Sequence, residues 1–349
     1  MTERLRIRLR IVAWFAVLGT LGGALYGLAN SDGEWLGLAR GAASGFLIAT
    51  PLVTFEALFT LTPAGDRLER LPFIALMAVR TAIYLAVILV GSELAAFAVG
   101  FDTYGGLVRG WALFWSIIFG GAFSIIANFI MEIDAMLGQG ELLRFIRGRY
   151  HRPREEERIF LFLDLVGSTA IAERIGGVRF LELLDRLYHD IAVPIVEHRG
   201  QIHKYVGDEM IVTWTLERGL KDGRPVACTL AILDAVAAAA ARYTSAFGTA
   251  PAFRCGLHLG PVVTGEIGSV KREIVYVGDT VNTAARLIEA CRAEGRSCIA
   301  TGALLDRLAL PHGTRADPLG LVRLRGKKTA LPLFALSRES ARKVAPAAE

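Results

Sequence analysis

The sequence predicts an α-helical membrane domain of four spans followed by a soluble α/β domain. Three observations carry this. Residues 1–133 are dominated by four apolar stretches, each near the roughly 20 residues that a helix needs to cross a bilayer. From residue 150 the chain becomes an ordinary soluble mixture of charge and pattern. There, short apolar runs bounded by turn residues alternate with helical stretches.

The spans fall at 11–30, 38–61, 71–92 and 107–131. Arg4, Arg6, Arg8 and Arg10 precede the first, and Arg67 and Arg70 lie between the second and third. Arg144, Arg147, Arg149, Arg152 and Arg154 follow the fourth, while Asp32, Glu34 and Asp102 occupy the other two loops. Positive charge on alternate sides predicts a multi-pass protein of the inner (cell) membrane with both ends in the cytoplasm. A cleaved signal peptide is the rival reading of the first span. Three further spans follow it, so the soluble half stays inside on either reading.

Arg40, Glu56, Arg80, Glu93, Arg109 and Asn128 lie within or near the spans. Intramembrane charge is costly, so these side chains face the bundle interior or snorkel to an interface. A structural Glu56–Arg80 pair is favoured over a sensing site. Two ladders, Gly19–Gly23–Gly27 and Gly37–Gly41–Gly45, each place glycine on one helix face. They suit close approach between chains, although glycine is common in such helices anyway. All six histidines lie after residue 150, which excludes a bis-histidine haem inside the spans.

The four parts expected are a membrane domain over 1–133, a linker over 134–157, a soluble domain over 158–338 and a tail over 339–349. In the linker, Leu137, Leu142, Leu143 and Phe145–Ile146 have helical spacing that ends before Pro153, which suits a transducing helix or a passive one. The net charge of +5 comes from clusters beside the spans and from scattered residues, with no aromatic-interleaved basic patch. That fits a membrane face and argues against nucleic acid. Cys228, Cys255, Cys291 and Cys298 form neither a CxxC pair nor a zinc set and read as reduced thiols.

In the soluble half, Ile159–Leu163 reads as a buried strand ending at Asp164. Leu165-Val166-Gly167-Ser168-Thr169 then leads into a helix. A carboxylate there suits a metal-bound triphosphate, with the loop amides on phosphate oxygens; a simple helix cap is the plainer reading. Next, Gln201–Val206 and Glu209–Trp214 flank Gly207-Asp208, a strong hairpin signal. Asp208 either fills the turn or supplies a second carboxylate for two ions about 4 Å apart. Finally, Gly278-Asp279-Thr280 opens a helix by capping, on which Asn282 and Arg286 share a face.

Asp164, Lys204-x-x-x-Asp208 and Asn282-x-x-x-Arg286, in that order and with the glycine-rich segment Gly256–Gly268 between, resemble the class III adenylate/guanylate cyclase family. The resemblance covers about residues 158–336. It implies a ferredoxin-like α/β domain active as a homodimer, with the site at the interface. Asp164 and Asp208, with Leu165 beside them, would hold two Mg²⁺ or Mn²⁺ ions. Val166, Gly167, Ser168 and Thr169 would bind the triphosphate, and Lys327, with Lys328 a near rival, its terminal phosphates. Lys204, from the other subunit, would donate to the purine; Asn282 would orient the ribose and Arg286 would neutralise charge at the α-phosphate.

Adenine N1 accepts a hydrogen bond, which suits the Lys204 ammonium and points to ATP as substrate and cyclic AMP as product. One position departs from the family's pattern. The second purine-contacting residue, commonly Asp or Thr, falls on Val275, which cannot accept from the adenine amine. Backbone groups, or a neighbour such as Glu273, would have to serve, or base discrimination would be relaxed. Alternatives are a membrane receptor that binds nucleotide without turnover and a cyclase of guanylate or relaxed specificity. A diguanylate cyclase, suggested by Val206-Gly207-Asp208-Glu209-Met210, leaves Lys204 and the Gly278–Arg286 segment unexplained. A transporter lacks the internal repeat it would need.

Overall fold

The computed structural model describes residues 3–29, 35–59, parts of 62–72, 73–98, scattered positions between 114 and 133, and 152–339 apart from Lys271. The chain divides into two compact units, Met1–Leu137 and Gly138–Glu349.

The first unit contains helices α1 (Glu3–Ala29), α2 (Trp35–Leu58) and α3 (Phe73–Ala98). Val12–Ala29, Trp35–Leu58 and Phe73–Ala95 are long and apolar enough to cross a membrane. The fourth expected span lies largely outside the described residues; those described between 114 and 133 are helical. Trp14, Leu18, Leu21 and Leu25 are exposed along α1, as lipid-facing positions would be.

The glycine ladders meet each other within one chain. A β-carbon built on Gly23 would overlap the carbonyl of Gly41, one on Gly27 that of Gly37, and one on Gly45 that of Gly19. The register runs antiparallel, so α1 and α2 form a hairpin sealed by backbone-to-backbone contact. Such approach favours dispersion and weak Cα–H···O contacts where lipid offers no hydrophobic drive. The two glycine faces are therefore used inside the chain. Deeper in the bundle, Arg80 Nε stands 3.9 Å from Glu56 Oε1, and the Tyr84 hydroxyl donates to the same oxygen. The charges Glu56 and Arg80, both on candidate spans, thus face each other.

The second unit is built on a sheet ordered β2–β3–β1–β4–β6–β8–β7. Its strands are β1 (Arg154–Leu165), β2 (Gln201–Val206), β3 (Glu209–Thr215), β4 (Phe253–Ile267), β5 (Glu273–Val277), β6 (Cys298–Thr301), β7 (Thr314–Val322) and β8 (Leu331–Arg338). Within the first four each strand is antiparallel to its neighbours, and β1 lies between β3 and β4. With helices between β1 and β2 and between β3 and β4, this is the ferredoxin-like arrangement. β5 turns back on the far half of β4, and β6 joins β4 in parallel.

The run Ile159–Leu165 is nearly all apolar because both faces of β1 are covered. Ile159, Leu161, Leu163 and Leu165 enter the main core. They are joined there by Leu183, Leu187 and Ile191 of α4 (Gly177–Glu197), and by Val226, Leu230 and Ile232 of α5 (Arg224–Ala238). Phe160 and Phe162 pack on the other face with Ile211, Val262, and Ala284 and Ile288 of α6 (Asp279–Ala293). Fully burying one such side chain contributes about 1.5–3 kcal/mol. All four cysteines are buried and reduced, and burial raises the thiol pKa of each.

Helix α6 can lie this close because of two glycines in β4. A β-carbon on Gly256 would stand 2.7 Å from the Ala284 carbonyl oxygen, and one on Gly260 would stand 2.5 Å from Thr280 Oγ1. The glycine-rich segment is thus a helix seat. It sets where the α6 side chains stand over the sheet.

Candidate active site

Asp164 occupies the position after Phe162 on the α6 face of β1. Across the ladder it is paired with Glu209 on β3 and Arg254 on β4, so the three charges form a row on one face. Arg254 Nη1 lies 3.9 Å from Asp164 Oδ2. Asp208 sits in the two-residue turn between β2 and β3, where Gly207 takes φ +63°. Glycine at the first central position suits a hairpin turn. The Tyr188 hydroxyl of α4 donates to the Gly207 carbonyl at 3.1 Å, and its ring stacks on Tyr205 at 4.8 Å.

The carboxylates repel one another. Burial, then Asp208, raises the Asp164 pKa, against the pull of Arg254 and Arg292. Glu209 is pushed up to about 7 by burial, then by Asp164 and Asp208. Tyr188 is pushed upward by burial, then by Asp208. Crowded anionic oxygens at a strand end fit a divalent cation, which would relieve that repulsion. Among the described residues no three His, Cys, Asp or Glu converge in metal-holding geometry.

Asp164 makes no helix cap. The following helix, Ser168–Ile175, is preceded by Gly167 in the left-handed region with no side-chain cap bond. The expectation that every amide of 165–169 aims at phosphate needs correction. Leu165 is laddered against Phe253, and the Val166 amide donates to the Ala252 carbonyl at 2.9 Å. The amides of Ser168 and Thr169 open the helix and have no intrahelical acceptor.

Lys204 reaches this same face through a β-bulge. Ile202 is paired with Val212, whereas Lys204 is paired with Ile211, so His203 is an extra residue. Strict alternation would put Lys204 beside Ile202 in the main core; the bulge turns it onto the α6 face. Its Nζ lies 2.6 Å from Glu273 Oε1 on β5. Beside that pair, Tyr276 meets the Phe160 ring at 5.4 Å and the His203 ring at 4.7 Å. The buried Arg158 guanidinium sits 4.7 Å from the Tyr276 ring centroid. Burial, then Lys204, pushes His203 down to about 4.

On α6, Asn282 is exposed and Arg286 half-buried. The expected side-chain cap is absent: Gly278 precedes the helix without a cap bond, and the Thr280 hydroxyl donates to the Pro261 carbonyl at 2.6 Å. Asp279 instead pairs with Lys327. Gly326 brings its loop against Arg286, with its β-position 3.3 Å from Nη2. Lys327 is half-buried toward α6, while Lys328 is exposed. His258, beneath this corner, bonds Thr301 Oγ1 at 2.7 Å and is pushed down to about 4 by burial, then by Lys327.

The structure therefore gathers the expected residues into three groups: Asp164 with Asp208, Lys204 with Glu273, and Arg286 with Lys327 and Asp279. Sequence reasoning missed Glu209 and Tyr188, whose roles depend on cross-strand and helix-to-turn contacts.

The family model for the adenylate and guanylate cyclase catalytic domain matches residues 151–337. Adenylate cyclase 2 of Rhizobium meliloti (strain 1021) is 39% identical over 212 residues, 61% of this chain and 58% of that protein. Adenylate cyclase 1 of the same strain is 26% identical over 182 residues, 51% of this chain and 27% of that protein. The chain thus spans less than two thirds of either relative. A bacterial light-regulated adenylyl cyclase shares the fold, with a TM-score of 0.54 at 16% identity over 68% of this chain and 66% of that one. With its match covering more than half of the sequence, this chain belongs to the adenylate and guanylate cyclase catalytic-domain family.

Proposed function

We propose that this protein is a membrane-anchored adenylate cyclase that converts ATP to cyclic AMP and pyrophosphate as a homodimer. The observation that carries the reading is the crowding of Asp164, at the end of β1, and Asp208, in the β2–β3 turn; burial, then the Asp208 charge, raises the Asp164 pKa. Two Mg²⁺ or Mn²⁺ ions held by Asp164 and Asp208, with Leu165 alongside, would supply the positive charge that makes the ribose 3′-hydroxyl acidic and screens the triphosphate. The 3′-oxygen attacks the α-phosphorus, the bond to the β-phosphate oxygen breaks, and pyrophosphate leaves. Asn282 orients the ribose, and Arg286 stabilises charge on the α-phosphate. Lys327 and the amides of Gly167, Ser168 and Thr169 bind the outgoing phosphates, and Lys204 from the partner copy donates to adenine N1.

An apolar stripe supports pairing of two copies. On the β4–β5 hairpin, Val263 is laddered with Val277, and Val263, Ile267 and Val277 are all exposed. Membrane anchoring rests on the apolar helices, and the expected topology puts the catalytic domain on the cytoplasmic side of the inner membrane. The expected transducer over residues 134–157 would join the parts; residues 134–151 of it lie outside the described residues, and Arg154–Glu157 belong to β1.

The test offers ATP and GTP separately, with Mg²⁺ or Mn²⁺, to the full-length protein in detergent, with Asp208→Ala as control. Metal-dependent cyclic AMP that falls by at least about 100-fold in the variant is the expected result. Binding of ATP without turnover would support the receptor reading, which Val275 favours.

A further inference from the structure

We infer that Glu273 reads the exocyclic amine of adenine, in the place where Val275 leaves no acceptor, and that the Lys204–Glu273 pair makes the site adenine-selective. This rests on the cyclase reading above and deepens it. Val275 presents only methyl groups and is laddered opposite Gly265. Glu273, two residues earlier, puts Oε1 2.6 Å from Lys204 Nζ, and both side chains remain partly open to solvent. An ammonium and a carboxylate side by side are a donor and an acceptor with nothing between them to disturb their order.

That order matches one purine. Along its reading edge, adenine offers a donor at N6 and an acceptor at N1. Guanine reverses them, with an acceptor at O6 and a donor at N1. With Lys204 on ring position 1, Glu273 faces position 6, which satisfies adenine and leaves guanine O6 against a carboxylate. A purine entering here replaces the direct ion pair with two hydrogen bonds, so neither charged group is left unpaired.

A purely structural role explains less. Ion pairs between exposed long side chains contribute little to stability. The β5 segment already has its own anchor in Tyr276, which packs on Phe160 and His203.

The test compares kcat/KM for ATP and for GTP in the full-length protein, Glu273→Ala, Glu273→Gln and the exchange variant Lys204→Glu/Glu273→Lys. Glu273→Ala is expected to lower the ATP-to-GTP ratio by about 10- to 100-fold. Glu273→Gln, which keeps a carbonyl acceptor, retains more of the ratio, and the exchange variant moves it toward GTP. Thermal unfolding of each variant checks that the fold persists. If the wild type cyclises ATP while Glu273→Ala loses activity equally on both nucleotides, or none at all, Glu273 is only a hairpin clamp and the assignment falls. If the wild type cyclises neither nucleotide, the cyclase reading fails and takes this assignment with it.

Discussion

Individual side chains divide by how locally their positions are set. Asp164 and Asp208 were legible because a strand end and a Gly-Asp turn are signals within a few residues. Glu209, Tyr188 and the Lys204–Glu273 contact depend on which strands become neighbours, and no short window holds that information. His258 gives a test at this scale. Its folded pKa of about 4 lies below the ordinary 6.5, so the native state binds fewer protons between those values. Stability from His258 is therefore full above about 6.5 and is lost as pH falls toward about 4, by ~3 kcal/mol at the limit. His203 has the same sign, whereas Glu209 acts oppositely between 4.5 and about 7. Comparing urea unfolding of wild type and His258→Asn across pH 4–7 cancels those shared contributions. The variant should show the shallower loss on the acid side, and parallel curves would refute the account.

At the scale of elements, the sequence placed the first three spans and strands β1, β2 and β3 well, since apolar length and run length are local. It misjudged faces. Period-two reading of Gln201–Val206 groups Lys204 with Ile202, and only the extra residue at His203 separates them. It also gave helix α6 a side-chain cap that the structure lacks, because Thr280 and Asp279 spend their polar groups on Pro261 and Lys327. The glycine ladders were visible, but their partner was not. If they seal α1 against α2, Gly23→Leu should destabilise the hairpin by about 1–3 kcal/mol. Unfolding in mixed micelles measures this, and an unchanged midpoint would contradict the intramolecular seam. In the cyclase domain, Gly260→Val should push α6 off its seat and lower kcat more than it lowers expression.

For the whole molecule, the proposed dimer makes activity depend on concentration. Ile267→Asp on the exposed hairpin stripe should shift the dependence of specific activity on protein concentration to higher values, while concentrated samples recover turnover. Invariance on dilution would speak against a site shared by two copies. A chain lacking residues 1–133 should likewise lose rate when dilute if the membrane helices hold the copies together. Full-length rates from it at every concentration would leave the spans as a passive anchor.

The four cysteines, all buried with their thiol pKa values raised, have a practical consequence. At neutral pH the folded chain presents no native thiolate to a maleimide reagent. A single cysteine introduced at exposed Val270, at the tip of the β4–β5 hairpin, can therefore carry a spin label without removal of any natural thiol. Distances between two such labels would follow the separation of the hairpins while nucleotide binds and leaves.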